Sequence, residues 1–182
     1  EASYGRGRQM DSERPLVKID GEKPGDNTVT YDKGGWAFWM LLNHMGRDRA
    51  MAGIQAFMKA YQGNPDHPVL QDFIASMRPF APEPAAFDAF TKQWFFEVVV
   101  PEYKLHDPKK TLRGESWEAT VRVENVGSGE MPVEVAATRG DRFQKDGTAA
   151  ADYKESRATV VLGTGGSRDG MIRFPFGPGA IV

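Results

Sequence analysis

Tyr31-Asp32-Lys33-Gly34-Gly35 is the stretch in which residue type and placement together suggest chemistry. It stands directly before a strongly apolar run, Trp36 to Met45, so a tyrosine there sits at the entrance of a rigid element. Its hydroxyl could act as a fixed hydrogen-bond donor facing a cleft. Two adjacent glycines at a helix entrance cost about 1 kcal/mol each relative to alanine, so something other than helix stability selects them. Close backbone packing would suffice. On physics alone a structural tyrosine is the simpler account of Tyr31.

Other chemistry has less support. The three histidines, His44, His67 and His106, are far apart and none belongs to an H-E-x-x-H pattern, so no hydrolytic zinc site can be composed from local sequence. They read as a helix end, a capping turn and a linker residue respectively. Gly5-Arg6-Gly7-Arg8 and Gly163-Thr164-Gly165-Gly166-Ser167 lack the context of a phosphate loop and read as turns, and no G-x-S-x-G elbow is present. Arg6, Arg8 and Arg14 read as solvated side chains of a glycine-rich lead-in. The absence of cysteine excludes disulfides and thiolate ligands. A net charge of -2 gives no global reason to expect nucleic acid as a partner.

Residues 1–27 read as an irregular approach with one short strand at Pro15 to Ile19. The run from Trp36 to Met45 is apolar on all sides and predicts a helix enclosed by neighbours. Gly46 predicts its end, with Asp48 as cap of the next helix. That helix carries the stripe Met51, Ile54, Phe57, Met58, Tyr61. A third opens at Asp66-His67-Pro68 with the stripe Leu70, Phe73, Ile74, Met77, and a fourth carries Phe87, Phe90, Trp94. The aromatic set Trp36, Phe38, Trp39, Phe57, Phe73, Phe87, Phe90 and Trp94 reads as core. After Pro101 the period changes: Thr120 to Glu124 and Pro132 to Val135 alternate, Ala158 to Leu162 is β-branched, and Asn125-Val126-Gly127-Ser128-Gly129 is a turn. The fold class is therefore α+β, an antiparallel helical segment of four short helices followed by an antiparallel β-sandwich. Its parts are a lead-in (1–27), a helical part (28–103) and the sandwich (104–182). No run approaches the roughly 20 apolar residues of a membrane span, so the piece itself reads as soluble. A start at Glu1 and an ending in Ala180-Ile181-Val182 read as a portion of something longer.

Tyr31-Asp32-Lys33-Gly34 resembles the Y-x-K-G motif of the aminopeptidase N family of zinc peptidases, the gluzincins. The likeness continues through Leu41-Leu42-Asn43-His44-Met45-Gly46, Phe57-Met58-Lys59-Ala60-Tyr61, Leu70-Gln71-Asp72-Phe73, Trp94 and Pro101-Glu102-Tyr103, and so spans 28–103. Gly35-Trp36 and Val100-Pro101 depart from the family pattern. The resemblance implies an α+β peptidase that removes N-terminal residues from peptides. In that family the zinc is held upstream of Y-x-K-G, so this chain would carry no metal ligand and no cofactor of its own, and would be inactive alone. It also implies that Tyr31 donates to the oxyanion of the tetrahedral intermediate, and that the upstream catalytic part is its partner. Arg14-Pro15-Leu16 ahead of the motif is similar to peptidase-like domains fused to bacterial ABC transporter permeases, which implies a membrane-anchored parent. The competing reading is a peptidase-like module kept for binding or scaffolding. A further one is a ligand-binding role for the sandwich alone.

Overall fold

A computed structural model of the chain describes residues 2–8, 13–65 and 67–182. It divides into two compact units, 1–98 and 99–182, each with its own interior.

The first unit is helical, with five helices among the described residues where four were expected. The additional one, α1 (Ala2–Gly7), lies in the lead-in that the sequence marks as irregular. Helix α2 is continuous over 26–45, built from a short α turn (Asp26–Thr28), a π-helical turn (Val29–Gly34) and an α-helix (Gly35–Met45). Helices α3 (Arg47–Tyr61), α4 (Leu70–Met77) and α5 (Pro84–Thr91) follow. Pro15 to Ile19 makes a 3-10 turn at Leu16–Lys18 instead of a strand. Proline sets its own φ and has no N–H to give a ladder, and the Ile19 N–H bonds the Leu16 carbonyl 3.2 Å away.

Between α2 and α3 a single residue, Gly46, turns the chain with φ +79° and ψ 142°, a region that side-chain-bearing residues avoid. Gly46 also stands at the N-cap of α3, so Asp48 lies in the first turn and is not the cap. There its charge favours the positive end of the helix dipole. Helix α4 opens at Leu70 rather than at Pro68. The Asp72 carboxylate accepts the Val69 N–H at 2.9 Å, closing its first turn. Asp66, part of the predicted start, lies outside the described residues.

The interior of this unit is lined by Ala37, Leu41 and Met45 of α2, Ile74 and Met77 of α4, and Phe87, Trp94 and Phe95. Phe38 meets Phe73 and Phe95 edge-on or tilted at 5.3 and 5.6 Å, and Phe57 meets Phe73 at 5.3 Å. Such geometries satisfy the ring quadrupoles while burying apolar area. The expectation that α2 is enclosed on all sides fails: Trp36 and Trp39 are 61% and 57% exposed, and their rings meet T-shaped at 5.7 Å. Periodicity shows that a helix is apolar all round; it does not show what covers each side.

The second unit is all β. Its strands are β1 (Tyr103–Arg113), β2 (Ser116–Asn125), β3 (Pro132–Arg139), β4 (Lys154–Val161), β5 (Ser167–Phe174) and β6 (Ala180–Ile181). They form two three-stranded antiparallel sheets, ordered β1-β2-β5 and β4-β3-β6. On β2 the buried residues Ala119, Val121 and Val123 alternate with outward polar ones, the period-two pattern of a half-buried strand. They join Val135, Ala137, Val160, Ile172 and Phe174 in one apolar cluster drawn from both sheets. The fold is thus α+β. The polar stretch Asp107-Pro108-Lys109-Lys110, which reads as a linker, lies inside β1. The register shifts there between His106 and Lys109, and Asp107 has φ +50°. A bulge on an edge strand accommodates a proline that cannot donate to the ladder.

Candidate active site

Tyr31 lies in the π-helical turn Val29–Gly34. The β-branched Val29 and Thr30 open this turn, and it returns to α geometry where the Gly35 N–H is shared between the Asp32 and Tyr31 carbonyls. Every fourth residue of the segment faces inward: Val29, Lys33, Ala37, Leu41 and Met45 are all buried. Tyr31 is on another side, 78% exposed, and its hydroxyl makes no hydrogen bond with a described residue. It is available to a ligand or to a further surface laid against it.

The buried stripe contains a cation, and a cation in an interior requires a partner. Lys33 Nζ donates to Glu13 Oε1 at 2.6 Å, with side-chain exposures of only 6% and 3%. Glu13 also accepts from the Tyr4 hydroxyl on Oε1 at 2.7 Å and from Arg8 Nε on Oε2 at 2.8 Å. Burial pushes the Glu13 carboxyl up, but the bonds from Lys33, Tyr4 and Arg8 outweigh it and hold the group below its ordinary value. Burial first, then the bond to Glu13, raises the Tyr4 phenol far above its usual range, so it remains a donor. One carboxylate therefore ties α1, the lead-in and α2 together.

A second network supports the start of α2. Asp26, nearly buried, accepts from Arg14 Nη2 at 2.5 Å and from the N–H groups of Gly21 and Lys23 at 3.0 and 3.2 Å. Arg14 reaches Asp20 as well, at 2.8 and 3.1 Å, and holds that carboxyl well below the usual carboxylate range. Arg8 and Arg14 are therefore ion-paired, whereas the sequence suggests solvated side chains; Arg6 is exposed. Gly5 to Gly7 is helical, not a turn. A Cβ on Gly7 would stand 2.3 Å from Thr28 Cγ2, so only glycine lets α1 approach α2 there.

The two motif glycines separate in role. Gly34 is buried, yet a Cβ there would stand in ordinary contact 3.8 Å from Leu16 Cδ2, and a Cβ on Gly35 would meet nothing within 4 Å. Close packing within the chain thus accounts for neither. Asp32 keeps Oδ2 buried without a hydrogen-bond partner among the described residues.

Compared with known proteins, the chain matches no protein-family model and no curated sequence.

The histidines do not converge. His44 ends α2, stacked on Phe90 at 5.0 Å, His67 is exposed beside α4, and His106 on β1 pairs with Glu124 at 2.8 Å instead of lying in a linker. Zinc is the metal the resemblance implies. Among the described residues no group of three His, Asp or Glu side chains is placed to hold a metal ion, so these residues do not fit a zinc site. Sequence reading missed the Glu13 partnership. A lysine on a buried helical stripe was the available signal, but its partner stands twenty positions away with no periodicity linking the two. It also missed a shallow hollow on the outer side of β1, β2 and β5, lined by His106, Asp107, Arg122, Glu124 and Ser167, in which Arg122 donates to Ser167 Oγ at 2.8 Å. No described helix is long and apolar enough to cross a membrane.

Proposed function

We propose that this chain contributes the oxyanion-stabilising hydroxyl of a zinc-dependent aminopeptidase, and that the group is Tyr31. The supporting observation is its placement: a phenol 78% exposed, on a helical segment whose inward side is anchored by buried residues. A donor held in place before the reaction needs no reorganisation when negative charge develops on the scissile carbonyl oxygen. The substrate would be a peptide with a free N-terminus. The metal ligands, in this reading, belong to an upstream part of a larger protein, and residues 28–103 are the helical part of its catalytic domain; the likeness of Arg14-Pro15-Leu16 to permease-fused peptidase-like domains supports a membrane-anchored parent. We read residues 104–182 as a β-sandwich, since both sheets supply alternating inward residues to one cluster.

In the zinc-loaded full-length enzyme, Tyr31→Phe is expected to lower turnover of an aminoacyl anilide about a hundred- to a thousandfold while zinc content stays the same. Wild-type turnover in that variant would overturn the assignment and favour the non-catalytic binding module. The chain by itself is expected to show neither peptidase activity nor stoichiometric zinc, which the same assay with metal analysis reads.

A further inference from the structure

We infer that Lys33 and Glu13 are a positioning pair for Tyr31, fixing the rotation of the π-helical turn so that the phenol stays outward. This rests on the catalytic reading of Tyr31. Lys33 lies two positions beyond Tyr31, roughly half a turn around an element whose bonds run from i to i+5, so anchoring one directs the other. The anchor is buried, short and shared: Glu13 is bonded to Lys33 at 2.6 Å, to Tyr4 at 2.7 Å and to Arg8 at 2.8 Å. The π turn needs such a hold. It is an irregularity in a helix that is α on both sides, and slipping back to an unbroken α ladder would rotate Tyr31 relative to the stripe Ala37, Leu41, Met45. The charge of Lys33 is consumed in this contact, which removes it as a substrate-binding cation and explains why a lysine tolerates a position otherwise held by Val29, Ala37 and Leu41.

The variant of choice is Lys33→Met, which keeps the length of the stem while Glu13 retains Tyr4 and Arg8. In the chain labelled with 3-fluorotyrosine, with Tyr31 assigned through Tyr31→Phe, Lys33→Met is expected to move the Tyr31 fluorine resonance and leave that of Tyr153 in place. Amide exchange across 29–34 should rise about tenfold or more as the turn opens locally. In the zinc-loaded full-length enzyme the same change should lower kcat about tenfold to a hundredfold with KM and zinc content unchanged, and should cost nothing further in the Tyr31→Phe background. An unaltered Tyr31 resonance with unaltered exchange overturns the pair's role, and so does an equal loss of kcat in both backgrounds, the mark of a merely structural contact. Should Tyr31→Phe itself leave turnover intact, the catalytic reading fails, while the fluorine and exchange measurements still decide whether the pair holds the turn. If Lys33→Met does not fold, Glu13→Leu with Lys33→Met replaces the pair by apolar volume and takes its place in both measurements.

Discussion

Asn125 closes β2 with its side chain fully buried, a placement that a primary amide tolerates only when its donors and acceptor are used. Its Nδ2 donates to the carbonyls of Gly129 and Leu162 at 2.8 and 3.0 Å, and its Oδ1 accepts the Gly127 N–H at 3.0 Å. One side chain thus terminates a strand, shapes the following loop and reaches the end of β4. Asn125→Ala leaves the Gly129 and Leu162 carbonyls without this donor, and each buried group so left costs about 1–3 kcal/mol, whereas the Gly127 N–H keeps the Glu102 carbonyl at 3.1 Å. A lower urea midpoint of the β unit at unchanged m-value is the expected result. The contrast with Tyr31 is instructive at this scale: Asn125 spends its polar groups inside the chain, whereas the Tyr31 hydroxyl is left outward and unpaired by any described residue.

At the scale of elements, glycines test whether backbone conformation or packing decides. Gly46 joins α2 to α3 at φ +79° and ψ 142°, so Gly46→Ala should destabilise the helical unit by about 1–3 kcal/mol even though a Cβ there meets open space. Gly35 has helical φ and ψ of -57° and -45° and equally open surroundings, so Gly35→Ala should stabilise by about 0.4–1 kcal/mol. Thermal unfolding of the two variants reads both signs, and a matching shift in the same direction contradicts the account. A stabilising Gly35→Ala also means that the second motif glycine is kept for a reason other than folding. Beside Tyr31, an absent side chain leaves room for whatever approaches the phenol.

On the scale of the whole chain, the two units have separate interiors: the helical one centres on Leu41, Met77, Phe87 and Phe95, the β one on Val121, Val123, Val135, Ile172 and Phe174. A unit with its own apolar core has what it needs to fold alone. Residues 99–182 made as a separate polypeptide are therefore expected to give a β-type circular dichroism spectrum and one cooperative unfolding transition. A non-cooperative melt would show that the β unit depends on the helical one. The helical unit differs in leaving Tyr31, Trp36 and Trp39 outward on α2, an apolar aromatic surface that its own fold does not cover.

What the sequence determined by itself was local in origin. The apolar stripes of α4 and α5, the alternation of Thr120 to Glu124 and the turn after Asn125 each follow from side-chain period and turn chemistry, whereas the stripe read on α3 is not its buried side: Met51 and Met58 are exposed, and Ala50 and Gly53 face inward. Tertiary structure alone decided that Lys33 is buried against Glu13, that Arg8 and Arg14 are ion-paired, that Asp107 to Lys110 is a bulged strand rather than a linker, and that Trp36 and Trp39 face outward. The physical reason is common to these cases: period and propensity describe what one segment offers, while burial, ion pairing and exposure depend on which distant segment arrives to meet it.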